Sequence, residues 1–67
     1  MATGRVQWFN RLKGYGFITP DEGDGDVFAH HESIVGSPDA TLSPDQKVEF
    51  DTRQGPKGLQ AVNIRVL

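Results

Sequence analysis

Eight glycines and four prolines interrupt this 67-residue chain so regularly that the longest stretch free of both is ten residues. A helix able to bury one face needs about three turns of unbroken apolar period, and none fits. Strands of about five or six residues do fit. Gly4 to Asn10 points Val6 inward, then breaks alternation with adjacent Trp8 and Phe9 as a β-bulge would; one ring must face out, and Phe9 is assigned to the core. Gly14 to Thr19 sets Tyr15 and Phe17 on one face and Gly16 and Ile18 on the other, and Pro20 ends the run. After an acidic turn, Asp26 to His31 predicts a third strand with Val27 and Ala29 opposite Phe28 and His30. Glu32 to Gln46 is polar, carries Gly36, Pro38 and Pro44, and is expected to be a long connection. Lys47 to Thr52 is the fourth strand, with Val48 and Phe50 inward. Gln60 to Val66 is the fifth, with Val62, Ile64 and Val66 on one face.

Five short strands without a helix, three in a meander and then a long crossing, predict an all-β fold: one small closed antiparallel barrel spanning residues 1–67. A chain of this length buries only about 60% of its unfolded surface, so a deep, water-free catalytic cleft is hard to build and no enzyme is expected. With no cysteine, disulfides, thiolate zinc, a cysteine nucleophile and iron–sulfur clusters are excluded together. No apolar run exceeds three residues, so no membrane span is expected, and the protein should be cytoplasmic. The net charge of −2 is unevenly ordered: residues 1–20 hold Arg5, Arg11 and Lys13 without an acid, residues 21–51 hold all nine acids with Lys47, and residues 52–67 hold Arg53, Lys57 and Arg65 without an acid. A fold that joins the two ends would give an acidic protein a basic face.

The most informative pattern lies on the second and third strands. Tyr15, Phe17, Phe28 and His30 share an outer face, while Ile18, Val27 and Ala29 already fill the inner one. Exposed rings grouped in this way call for a partner. Nucleic-acid bases supply one, since every base has a face to stack and each base–aromatic contact is worth roughly 1–3 kcal/mol. Arg11 and Lys13 precede the rings, Arg53 and Lys57 flank them, and Gln7, Asn10 and Gln60 are placed to bond base edges.

These residues resemble a known family. Lys13-Gly14-Tyr15-Gly16-Phe17-Ile18 is similar to the first ribonucleoprotein motif of the bacterial cold shock proteins, and Val27-Phe28-Ala29-His30 to the second. Val6-Gln7-Trp8-Phe9-Asn10 and Gly58-Leu59-Gln60-Ala61-Val62-Asn63 resemble the opening and closing strands. The resemblance implies a five-stranded barrel of the oligonucleotide-binding (OB) type that binds single-stranded RNA and DNA and acts as an RNA chaperone. It further implies that Trp8, Tyr15, Phe17, Phe28 and His30 are stacking platforms and that Lys13 and Gln60 are polar contacts. Gln7 stands where the family usually has lysine, and His31, here a weaker platform, stands where another aromatic is common.

Other chemistries fit poorly. His30 and His31, as neighbours on a strand, should face opposite ways and hold no metal. A calcium loop starting at Asp21 would place Gly23 and Gly25 at ligand positions. Gly14-Tyr15-Gly16 opens no helix, and Ser33 with a histidine lacks an orienting acid. No cofactor or small-molecule substrate is expected, and the chain should act as a monomer. The alternative is a small barrel that docks an extended or proline-rich peptide on the same rings.

Overall fold

Alternation sorts the side chains of β2 (Tyr15–Pro20) as its sequence requires: Gly16 and Ile18 are buried, while Tyr15 and Phe17 remain half-buried on the other side. In the computed structural model, which describes residues 1–23, 25–36, 39–56 and 58–67, β2 lies between β1 (Ala2–Asn10) and β3 (Val27–His30) in an antiparallel meander. With β4 (Lys47–Gly55) and β5 (Gly58–Val66) the strands close a barrel in the order β1-β2-β3-β5-β4. This is the expected five-stranded OB-type architecture. Its closing contact, Phe28 beside Gln60, is parallel, because β3 and β5 run the same way around the seam.

The strands exceed their expected lengths where partners are available. β1 starts at Ala2 because Ala2 to Arg5 pair with Lys47 to Phe50, which the local pattern of Met1 to Thr3 does not signal. β4 and β5 run on to Gly55 and Gly58, which face each other across the hairpin. The third strand stops one residue early, at His30, and the chain turns into a 3-10 turn over His31–Ser33.

Two irregularities set which residues face out. In β1 the register slips between Val6 and Trp8, so Val6 is buried, Trp8 turns outward and Phe9 packs against the core. The bulge anticipated from adjacent Trp8 and Phe9 is therefore present. Gly16 lets β1 and β2 approach: a Cβ there would overlap the Trp8 carbonyl oxygen and lie 2.7 Å from the Phe9 Cα. In β5 a second slip, opposite Glu49 and Asp51, places Asn63 at φ 52°. Ala61 before the slip and Ile64 after it both point inward, while Val66, which shares Ile64's parity and pairs with buried Val48, is 39% exposed at the end of the strand. The expected inward row of Val62, Ile64 and Val66 is corrected accordingly: the inserted residue puts Val62, which precedes it, on the face opposite Ile64, and Val66 lies at the open end of the strand.

Among the described residues, the core consists of Val6, Ile18, Val27, Ala29, Ile34, Leu42, Val48, Phe50, Ala61 and Ile64. Ile34 and Leu42 come from the connection, which sequence alone treated as polar throughout. Ile34 bridges to Ile64, and Val35 N–H donates to the Ile64 carbonyl at 2.8 Å. The pair Ile34-Val35 and the single Leu42 in a polar run carry no period, so neither Ile34 nor Leu42 could be identified in advance.

Candidate nucleic-acid interface

The register places the rings in rows. Tyr15 pairs with His30 and Phe17 with Phe28 across β2 and β3, while the β1 bulge brings Trp8 opposite Phe17. Trp8 lies 5.5 Å from both Tyr15 and Phe17, centroid to centroid. Phe28 lies 5.8 Å from both Tyr15 and Phe17, and His30 continues the patch at 6.3 Å. Five rings therefore form one connected surface across three strands, each held by its neighbours within the distances at which rings attract. None of them belongs to the buried core.

A groove of about 770 Å³ opens above this surface, and its walls bring Lys13 and Gln60 to the rings. Gln60 reaches its place through the parallel pairing with Phe28, while Lys13 comes from the turn between β1 and β2. Asp26, Pro56 and Leu59 also line the groove and were not anticipated. Asp26 could have been found, since Asp26, Phe28 and His30 share one parity. Leu59, 47% exposed, adds an apolar wall whose only sequence signal was its proximity to Gln60. With a carboxylate among these residues, the groove is not the uniformly basic face that the charge order suggested.

Gln7, Asn10 and Arg11 do not line this groove. The Gln7 carboxamide donates to Asp26 Oδ2 at 3.2 Å and Thr19 Oγ1 at 3.5 Å. The Asn10 Oδ1 accepts the backbone N–H groups of Leu12 and Lys13 at 3.0 and 2.9 Å, so it shapes the turn that carries Lys13. Arg11 lines an adjoining recess of about 220 Å³ with Lys13, Gly14 and His31. Lys57 lies outside the described residues. His31 lies against His30, ring centroids 4.4 Å apart, instead of facing the opposite way. The strand has ended by then, so strand alternation no longer governs it.

Gly14 holds this corner. Its φ is +75°, its carbonyl accepts the His31 N–H at 2.9 Å, and a Cβ there would come within 2.5 Å of the His31 ring. Gly14→Ala should therefore lower stability by about 1 kcal/mol and displace His31. Thermal unfolding together with the His31 ring resonances checks this; an unchanged melting point and ring environment would contradict it.

A closed five-stranded barrel with its rings gathered outside the core is a barrel of OB type. Residues 2–67 match the family described as 'Cold-shock' DNA-binding domain. The chain is 58% identical over 65 residues to the cold shock-like protein CspA of Stigmatella aurantiaca, covering 97% of this chain and 96% of that protein. It is 51% identical to the major cold shock protein of Micrococcus luteus over the whole of both chains. Among solved structures, drosophila Unr CSD456 shares the fold with a TM-score of 0.78 at 22% identity, over 98% of this chain and 26% of that longer one. The chain belongs to the cold-shock domain family. It is a nucleic-acid-binding protein of a family that is not an enzyme family.

Proposed function

We propose that this protein binds single-stranded RNA and DNA with low sequence selectivity, without catalysis, and acts as an RNA chaperone. The observation that carries the reading is the continuous ring surface of Trp8, Tyr15, Phe17, Phe28 and His30 outside the core. Bases stack on these rings irrespective of identity, because stacking uses the face that all bases share. Lys13 meets the phosphates, and Gln60 bonds whichever base edge lies beside Phe28. With few such edge contacts, selectivity stays low.

Chaperoning then follows from mass action. A chain that binds only open strands stabilises them by RT ln(1 + [L]/Kd), about 2.7 kcal/mol at a hundredfold excess over Kd. That equals roughly two average base-pair stacking steps, enough to open weak RNA structure without nucleotide hydrolysis. The protein acts in the cytoplasm as single chains.

Paired bases offer the rings no free faces, so single strands should compete for the site far better than duplexes of equal length. Competition between a labelled oligothymidine and the two unlabelled forms tests this. Equal competition would replace the stacking reading with a purely electrostatic one.

A further inference from the structure

The end of β3 gathers three side chains of metal-ligating type, of which His30 alone belongs to the ring surface. His30 is its last residue, and His31 and Glu32 open the 3-10 turn. One ligating atom from each of the three lies within 4.8 Å of the others. We infer that His30, His31 and Glu32 form a binding site for one divalent late first-row metal ion, with zinc the natural occupant.

The geometry supports this in three ways. First, His30 Nδ1 and Glu32 Oε1 are 3.7 Å apart. An ion bound at about 2.0–2.2 Å from each in tetrahedral geometry needs a separation of roughly 3.3 to 3.6 Å, so a small rotation of the exposed Glu32 side chain completes the pair. Second, the Glu32 N–H points at His30 Nδ1 from 3.3 Å. It favours the tautomer with its lone pair on that nitrogen, the one nearest the carboxylate, and the contact is long enough to yield to an ion. Third, His31 is held beside His30 by its backbone bond to Gly14, with the two rings 4.4 Å apart. Much of the cost of bringing the imidazoles together is thus met by the fold.

The donor set selects the ion. Two imidazoles and one carboxylate suit zinc, nickel or copper, whereas magnesium and calcium require mostly oxygen. Three protein ligands leave a fourth position to water, and half-buried His30 with exposed His31 and Glu32 leaves a route for entry.

The test uses the untagged full chain, labelled with nitrogen-15 and titrated with zinc chloride. The imidazole nitrogens of both His30 and His31 should shift together, saturate at one ion per chain, and be unmoved by magnesium at the same concentrations. Loss of even an outer-shell partner typically weakens metal binding by about 10- to 100-fold, so His31→Gln and Glu32→Gln should each raise the zinc Kd at least about tenfold. Neither residue belongs to the buried core, so both variants should keep the parental backbone spectrum. Shifts confined to one histidine, equal responses to zinc and magnesium, or variants that bind zinc like the parent would overturn the site.

Discussion

Phe28→Ala should bind an oligothymidine more weakly by roughly 1–3 kcal/mol, about 5- to 150-fold, and still fold. The ring is half-buried and outside the core, at the centre of the patch, touching Tyr15, Phe17 and His30. Gln60 sits beside it on β5, so a base stacked on Phe28 is the one best placed to be hydrogen-bonded as well. Removing the ring loosens contacts among half-exposed rings and leaves no buried cavity, so the fold is kept. Phe17→Ala should behave likewise, since Phe17 joins Phe28 to Trp8. Calorimetric titration gives the binding loss, and circular dichroism with thermal melting gives the fold. A folded variant with parental affinity would remove that ring from the binding surface. One that fails to fold would place the ring in the core.

Ile18→Ala should do the reverse and destroy stability. Ile18 lies next to Phe17 in sequence but points inward, with no exposed surface, among the largest fully buried side chains. Truncating a buried isoleucine costs about 2–5 kcal/mol, and a barrel of this size rarely holds more than about 3–5 kcal/mol in total. The variant should therefore melt at least about 10 °C lower, and at the upper end of the range it should not fold. Ile18→Val, which removes one methylene, should cost only about 0.5–1.5 kcal/mol. An Ile18→Ala protein with the parental melting point would contradict the assignment of faces along β2. Adjacent residues with opposite failures, one in binding and one in folding, are the consequence of a strand with one face on the core and one on the ligand.

The same period made much of the molecule legible in advance. Alternation in Tyr15 to Ile18 and Val27 to His30 separated the ring surface from the core, and the break at Trp8 and Phe9 located the bulge. It failed where the physics ceased to be local. The slip at Asn63 put Val62 on the face opposite Ile64, and the turn at His31 brought two histidines together that a continued strand would have kept apart. Ile34 and Leu42 enter the core from a run whose polarity argued otherwise. Asn10 was expected to meet bases, but its side-chain oxygen is spent on the turn that presents Lys13, because a short carboxamide bonds its own backbone most readily in a tight turn.

Trp8, the only tryptophan, lies within the ring surface and is 39% exposed, so its fluorescence reports directly on whether a strand stacks there. The decisive measurement is its titration with oligothymidine at about 50 mM and about 200 mM salt. Stacking should quench the emission at both concentrations. The phosphate contact from Lys13 should weaken affinity by roughly 2.6-fold between the two concentrations, from a slope of about −0.7 per contact. Emission that oligothymidine leaves unchanged, or quenching with an affinity indifferent to salt, would contradict a surface that stacks bases beside a basic side chain.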